Sequence, residues 1–363
     1  MIKILHCADI HLDSPFAALP AERAEVRRSE LRAAFTSMIL YARMNGCDLL
    51  LMAGDVVDNS YATRETAQLL QKEFASIPKT NIVIAPGNHD PYTRSSIWSA
   101  VEFPKNVSIF DSEKLSYFSF DELNTDVYGY AFTSPTLDAN PAAGHRPLNP
   151  DRINLLCAHC EMNVPGGHAA PIADADMEAS GMDYAALGHN HNTSGIHCLG
   201  QTWYGYSGCL EGRGFGECGY KGAVWVEIDR TDAGVTVNPR GIRFSKRRYE
   251  SLTIDATGFR TAEELSAAYK SAVRTNGYGE DTTLRVILEG TVSPAFSPEE
   301  ADLGAAVVVD QTVPAVDDAS LLNDPGLRGA FYRELLPLLQ SGSPDQKHRA
   351  ALALRLGLAS LES

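Results

Sequence analysis

The stretch Asn81-Ile-Val-Ile-Ala-Pro-Gly-Asn-His-Asp90 decides how the chain is read. Its apolar, β-branched run predicts a buried strand over Asn81–Ala85, and Pro86-Gly87 stops it. The turn then presents Asn88 and His89 to the space beyond the strand's carboxyl end. Upstream the same grammar recurs twice. Asp48–Ala53 reads as a strand followed by Gly54-Asp55-Val-Val-Asp58, and Ile2–Ala8 as a strand followed by Asp9-Ile-His11. Helical patterns lie between them. Glu22–Met44 carries Val26, Leu31, Phe35, Ile39 and Leu40 at helical spacing, and Thr63–Ser76 begins on a plausible N-cap, Thr63. A β-α-β-α-β order implies parallel strands with crossover helices. In such sheets ligands sit beyond the carboxyl ends of the strands.

Downstream, strands are predicted at Val107–Phe110, Leu115–Phe120, Asp126–Ala131, Ile153–Ala158, Tyr184–Leu187, Thr202–Tyr206, Gly222–Asp229 and Val235–Phe244. Two of them run into histidines, as Ala158-His159 and as Gly188-His189-Asn190-His191. The expected fold class is α/β (α+β by some schemes), a two-sheet β-sandwich flanked by helices. Near Tyr249 the pattern changes to Ser251–Ile254, a helix over Ala262–Asn276, Thr283–Glu289 and a further strand within Leu303–Val309. Helices over Gly326–Gln340 and Pro344–Leu361 follow, joined by Ser341-Gly-Ser-Pro344. The expected domains are therefore 1–248, a small C-terminal capping β-α-β domain at 249–318, and a helical segment at 319–363. Leu352, Leu354, Leu356 and Leu358 give the last helix apolar surface for its own domain or for a partner.

Composition bounds the function. Hydrophobic content of 44% and charged content of 21% are those of a soluble globular protein. No apolar run approaches the ~20 residues needed to span a bilayer, and the start lacks a signal peptide's layout. A cytoplasmic protein without membrane association is expected. Seven cysteines, an odd count in a long chain, argue against a disulfide framework. Cys157 and Cys160 have C-x-x-C spacing, but no second such pair exists to complete a zinc site, so they read as packing residues. The net charge of -15 runs against DNA binding by phosphate neutralisation. The one basic cluster, Arg240, Arg243, Lys246, Arg247 and Arg248, reads either as a solvated strand and linker or as a nucleic-acid contact.

The five polar clusters share one chemistry. Asp9 and His11 alternate on a strand end and point the same way. Carboxylate with imidazole suits Mn²⁺, Fe²⁺ or Zn²⁺. Asp55 has two oxygens and can bridge two cations ~4 Å apart, the spacing of two-metal hydrolysis. Asn88 offers a neutral oxygen. His89 reads as a non-ligand that donates a proton to a leaving oxygen or stabilises phosphate charge. Asp58 could orient the His89 imidazole, although a loop position capping the next helix suits it equally. Asp90 reads as a loop or helix-cap residue. A lone histidine such as His159 is usually structural, whereas His189 and His191 on a Gly-led loop form a common ligand pair. Read together, the clusters point to phosphate-ester hydrolysis.

In order, D-x-H, GD-x-x-D, GNHD, H and GH-x-H resemble the calcineurin-like metallophosphoesterases, over roughly residues 1–230. The resemblance implies a dinuclear centre. Its first metal would be held by Asp9, His11, Asp55 and His191, and its second by Asp55, Asn88, His159 and His189. His89 would be the catalytic histidine, with Asp58 behind it. Three stretches are similar to the DNA-repair nuclease branch, that of the bacterial SbcD, YhaO-like and Mre-type nucleases. They are Ile4-Leu-His-Cys-Ala-Asp-Ile-His-Leu-Asp13, Asp183-Tyr-Ala-Ala-Leu-Gly-His-Asn-His191, and Tyr206-Ser-Gly-Cys-Leu-Glu-Gly-Arg-Gly-Phe-Gly-Glu217 with Lys221-Gly222. This narrower resemblance implies a Mn²⁺-dependent DNA exonuclease or endonuclease whose capping domain lies over the DNA path. It also implies a homodimer paired through helices of the nuclease domain, and an SbcC-like coiled-coil ATPase docked on the C-terminal helices. The chain departs from the branch in its acidity, its short C-terminal region, and Ser207 where the branch has proline. Two other functions stand beside this one: hydrolysis of a small phosphodiester or phosphomonoester, and a non-catalytic scaffold for the ATPase. The full set of seven ligands argues against the scaffold.

Overall fold

The first three strands are largely apolar because both of their faces are covered. The computed structural model describes residues 1–231, 234–294 and 296–362, and the chain divides into two compact units, Met1–Arg248 and Tyr249–Ser363. The strands of the first unit are β1 (Ile2–Cys7), β2 (Leu49–Met52), β3 (Asn81–Ile84), β4 (Val107–Ile109), β5 (Ser116–Phe120), β6 (Thr125–Gly129), β7 (Ile153–His159), β8 (Tyr184–Gly188), β9 (His197–Leu199), β10 (Thr202–Tyr206), β11 (Gly222–Thr231) and β12 (Gly234–Arg243). Its helices are α1 (Ala21–Asn45), α2 (Arg64–Ala75), α3 (Ile97–Ala100) and α4 (Asp174–Ala179). The strands form two six-stranded mixed sheets, in the orders β12-β11-β1-β2-β3-β4 and β5-β6-β7-β8-β10-β9. Strands β1 to β4 are mutually parallel, as are β6, β7, β8 and β10; β11, β5 and β9 join antiparallel. This is the helix-flanked sandwich expected from the sequence.

Alternation along the strands sorts the core. Ile4, Leu49, Leu51 and Val83 join Leu155, Cys157, Tyr184 and Ala186 between the sheets. Their neighbours Leu5, Leu50, Met52, Ile82 and Ile84 face the other way and pack with Leu31, Phe35, Met38 and Ile39 of α1. Val26 and Leu40 of α1 are exposed, contrary to the stripe read from the sequence. The buried stripe runs through Leu31, Ala34, Phe35, Met38 and Ala42, and those two positions lie off it. Thr63 caps α2 as expected, accepting a hydrogen bond from the Thr66 amide.

Two features tie the sheets together at the end where the clusters lie. Gly188 packs against the Ala53 carbonyl so tightly that a Cβ there would collide with it. His6 of β1, fully buried, faces the other sheet, with Nδ1 2.8 Å from the Tyr184 hydroxyl and Nε2 3.1 Å from the Leu187 carbonyl. The carbonyl requires the proton on Nε2, so the tyrosine donates to Nδ1.

The second unit contains β13 (Arg248–Asp255), α5 (Ala262–Thr275), β14 (Thr282–Glu289), β15 (Thr291–Val292), β16 (Val307–Asp310) and β17 (Val313–Pro314), followed by α6 (Asp318–Asn323), α7 (Leu327–Ser341) and α8 (Pro344–Glu362). Its main sheet has the order β13-β14-β16, and α5 begins in a Thr261–Glu264 capping box. Leu354 and Leu358 of α8 are buried with Leu321 and Tyr332, whereas Leu352 and Leu356 are exposed. The apolar surface of the last helix is thus divided between its own unit and solvent. Among the described residues no helix is long and apolar enough to cross a membrane.

Burial lowers the His6 pKa from 6.5 to about 4, against a smaller opposing effect of the Leu187 carbonyl. The unfolded chain therefore takes up this proton first, and stability falls as pH drops from about 6.5 towards 4. Between pH 7 and pH 5 the His6 share is about 2 kcal/mol. Urea unfolding of His6→Gln in EDTA should lose that part of the pH dependence. A dependence equal to the parent's would show that His6 is not its source.

Candidate metal centre

The ladder between β1 and β2 does not stop at the strand ends. Asp9 donates its amide to the Gly54 carbonyl at 3.0 Å, His11 to Asp55 at 2.9 Å, Leu12 to Val56 at 2.9 Å, and Asp58 to Leu12 at 2.9 Å. To keep these bonds while turning side chains inward, Asp9, His11 and Asp55 take left-handed φ values of 51°, 50° and 53°. His189 does the same at 108°. For residues with a Cβ, each such conformation costs of order 1 kcal/mol or more, and such strain gathers at functional sites. Gly54, at φ 87°, lies against the His159 ring, where a Cβ would collide.

Asp90 does more than occupy a loop or cap position. Its carboxylate, with no solvent exposure, accepts from the amides of Gly87 at 2.7 Å, Val56 at 2.7 Å, Asp55 at 3.1 Å and Val57 at 3.3 Å. One side chain thus locks the loops after β2 and β3 together. Burial, and then the neighbouring Asp55, raise its pKa to about 7.

These loops bring all nine predicted residues into one network. The ligand atoms of Asp9, His11, Asp55 and His191 lie within 4.8 Å of one another. They are the four residues that the family resemblance assigns to one metal. Beside them, Asp55 Oδ2 is 3.4 Å from His159 Nε2, which is 2.9 Å from Asn88 Oδ1. The His189 ring stands edge-on to His159 with centroids 5.2 Å apart. A second convergent trio, His11, Asp58 and His89, is a relay rather than another ion site, because His11 Nδ1 and Asp58 Oδ1 are hydrogen-bonded at 2.7 Å.

The tautomers test whether cations fit. His11 Nδ1 faces Asp58, His191 Nδ1 faces Glu217 Oε1 at 2.6 Å, and His159 Nδ1 faces the Ala53 carbonyl at 3.0 Å. Each contact demands a proton on Nδ1 and leaves Nε2 as a bare lone pair. The lone pairs of His11 and His191 then face each other at 3.2 Å, with Asp9 and Asp55 oxygens each 3.7 Å from one of them. The His159 lone pair faces the same Asp55 oxygen and one more, Asn88 Oδ1. Acceptors pointed at acceptors in a buried place repel unless cations lie between them, so this donor set fits divalent metal. The carboxylates agree. Burial, followed by Asp55, holds the Asp9 pKa well above the usual range. For Asp55 burial acts in the same sense, but His159, His11 and His89 outweigh it and lower the pKa.

Asp58 faces two imidazoles, that of His11 as well as that of His89. Its oxygen lies 2.7 Å from His11 but 3.5 Å from His89 Nδ1, so it bonds to a candidate ligand and acts on His89 through charge. The Asp58 carboxylate beside it raises the His89 pKa, against partial burial, and the His89 side chain is 53% exposed.

Sequence reading assigned no role to several supporting residues. Glu217 fixes His191. Burial would raise its pKa, but His191 and Arg213 bring it down to about 2. Lys221 Nζ holds the His191 loop through Asn192 Oδ1 at 2.6 Å, and a Glu161 oxygen lies 3.8 Å from His189 Nε2. Glu217 and Lys221 fall inside a quoted stretch, Tyr206 to Gly222, whereas Glu161 carries no local signal. Two cavities flank the centre. One of about 550 Å³ is lined by Glu161, Met162, His189, Asn190 and Glu217. The other, of about 320 Å³, is lined by Ser14, Asp58, Tyr61, His89 and Arg213.

Residues 2–193 match the family described as calcineurin-like phosphoesterase. A Bacillus subtilis protein described as uncharacterized metallophosphoesterase YhaO is 27% identical over 304 residues, which cover 80% of this chain and 72% of that one. The SbcD component of the nuclease SbcCD from Staphylococcus epidermidis is 24% identical over 253 residues, 60% of this chain and 63% of that one.

Glu217→Gln removes the charge that holds His191 without changing its shape. Metal affinity, read by competition with a chromogenic chelator, should weaken about 10- to 100-fold. Parent-like affinity would show that Glu217 does not support the site.

Proposed function

Because the chain belongs to the calcineurin-like phosphoesterase family, we propose that it is a phosphoric-ester hydrolase that uses two divalent cations and cleaves DNA. The observation that carries the hydrolase reading is the convergence of buried carboxylates and imidazole lone pairs beside the exposed, readily protonated His89. One cation would be held by Asp9, His11, Asp55 and His191, the other by Asp55, Asn88, His159 and His189. Cations held there would polarise the phosphoryl group and lower the pKa of a water. Four imidazoles, two carboxylates and one amide suit Mn²⁺, Fe²⁺ or Zn²⁺, and Mn²⁺ is proposed on the resemblance to the nuclease branch.

The chain's own residues do the rest. His89 turns Nδ1 towards Asp58, which leaves Nε2–H for the leaving oxygen. Asp58, anchored on His11, favours the protonated form of that imidazole. Asp90 holds the backbone that places His89 and Asp55, whose oxygen accepts the His89 amide at 2.9 Å. DNA is supported by the three nuclease-like stretches and by the relative named as part of a nuclease. Repair of DNA in the cytoplasm is part of the same proposal, supported by seven unpaired thiols. So is a coiled-coil ATPase docked on the Leu352 and Leu356 face of α8, and so is pairing with a second copy. A small phosphodiester is the second reading, favoured by the net charge of -15.

End-labelled linear duplex DNA and bis-p-nitrophenyl phosphate, each with Mn²⁺, Mg²⁺ or EDTA, separate the two. Metal-dependent cutting of DNA is expected. Turnover of the small ester with intact DNA would favour the second reading. His89→Ala should lose about 100-fold or more in rate with metal content retained. Parent-like cutting would remove His89 from the mechanism.

A further inference from the structure

The two cavities beside the centre differ in charge. The larger one carries the carboxylates of Glu161 and Glu217 with the amides of Asn190 and Asn192, and neither arginine nor lysine lines it. The smaller one is lined by Arg213 together with Ser14, Asn59, Ser60 and Tyr61. Its single carboxylate, Asp58, is committed to His11. His89 lines this smaller cavity, so a group protonated by His89 departs into it.

Arg213 is built to hold an anion. The fork of a guanidinium matches phosphate oxygens. Its side-chain hydrogen bond runs from Nη2 to Glu217 at 3.2 Å, and His191 Nδ1, which donates to the same carboxylate, lies 2.9 Å from that Nη2. Nε is buried, and among the described residues it has no hydrogen-bond partner. The backbone beneath is fixed: the Arg213 amide donates to Glu217 at 2.6 Å, and Arg27 binds the preceding Gly212 carbonyl at 2.7 Å. Tyr61, 56% exposed at the cavity wall, offers a face on which a base can stack.

We propose that the cavity between His89 and Arg213 is the subsite for the leaving nucleotide, with Arg213 binding the next phosphate on that side. The proposal rests on the nucleic-acid reading above. In the step itself water oxygen adds to phosphorus and the P–O3′ bond breaks. The departing 3′ oxygen takes its proton from His89, and the water's proton goes to solvent. The products are a 5′-phosphate and a 3′-hydroxyl. The leaving nucleotide's own 5′-phosphate then lies towards Arg213, and a phosphate beyond the other product faces the acidic cavity.

Three thymidine dinucleotides test this: TpT, pTpT with the extra phosphate on the leaving side, and TpTp with it on the opposite side. The parent should prefer pTpT over TpT by about tenfold or more in kcat/KM and gain nothing from TpTp. In Arg213→Met the pTpT/TpT ratio should fall to near one, whatever the absolute rate, and Arg213→Lys should restore part of it. Because Arg213 also pairs with Glu217, each variant is assayed at saturating Mn²⁺ with its metal content measured, and the ratio is compared at equal occupancy. Equal cleavage of TpT and pTpT by the parent, a gain for TpTp instead, or a ratio retained in Arg213→Met would overturn the subsite alone. Hydrolysis of bis-p-nitrophenyl phosphate with no dinucleotide cleaved would overturn the nucleic-acid reading and the subsite with it.

Discussion

Acceptors that face acceptors are the constraint on which the first unit is built. His11 and His191 turn bare nitrogens towards each other at 3.2 Å, between two carboxylates with almost no solvent exposure. Left to itself this cluster would repel, so the rest of the unit serves to hold it in place. The strained φ values of Asp9, His11, Asp55 and His189 aim side chains inwards. The remote nitrogens of His11, His159 and His191 are bonded to Asp58, Ala53 and Glu217, which removes any choice of tautomer. A site of this kind stores unfavourable energy in the folded chain, and bound cations release it.

The sandwich supplies the rigidity. Loops at the ends of parallel strands carry the ligands, and each loop is tied to another rather than to solvent. Asp90 joins the turns after β2 and β3, and His6 joins β1 to β8 immediately before Gly188 and His189. Gly188 against Ala53 closes the gap between the sheets. A second network reaches outward. Glu211, buried, accepts from Arg27 of α1 and from the amides of Lys246 and Arg247. The loop bearing Arg213 and Glu217 is therefore anchored to α1 and to the linker that ends the first unit.

What was legible in the sequence follows from this division. Strands buried on both faces show as largely apolar runs, so β1, β2 and β3 and the ligand clusters behind them could be read directly. Thr63 announced its helix because a cap is a local device. The supporting residues could not be read in the same way. Glu217 meets His191 from 26 residues away, and Glu161 approaches His189 from another loop. Asp90 sits beside His89 in sequence, yet its work is on amides some 35 residues earlier. Buried carboxylates that accept backbone amides leave no periodicity, since their partners carry no side-chain signature. The same holds for His6, which reads as one polar interruption in an apolar strand. Asp58 shows the opposite difficulty: it was found, but its nearer partner is His11, because the continued β1–β2 ladder places those two residues side by side.

The acidity of the chain also takes a different meaning once its distribution is known. Residues 101–200 carry 13 acidic and 4 basic side chains, whereas residues 201–248 carry 5 and 8. The first stretch builds much of the second sheet and the acidic wall containing Glu161. The second contains Arg213 and Lys221 and the edge strand with Arg240 and Arg243. Arg243 and Arg248 both lie over the Tyr220 ring, at 3.4 Å and 4.5 Å from its centroid. Charge at working ionic strength acts over a Debye length of about 8 Å, so a polyanion responds to the local sign and only weakly to the total. A net charge of -15 therefore limits non-specific attraction to nucleic acid without forbidding a contact confined to the positive side of the centre. Such a molecule would hold a phosphate chain at few points, and binding would depend on the cations and on Arg213 more than on a broad basic surface.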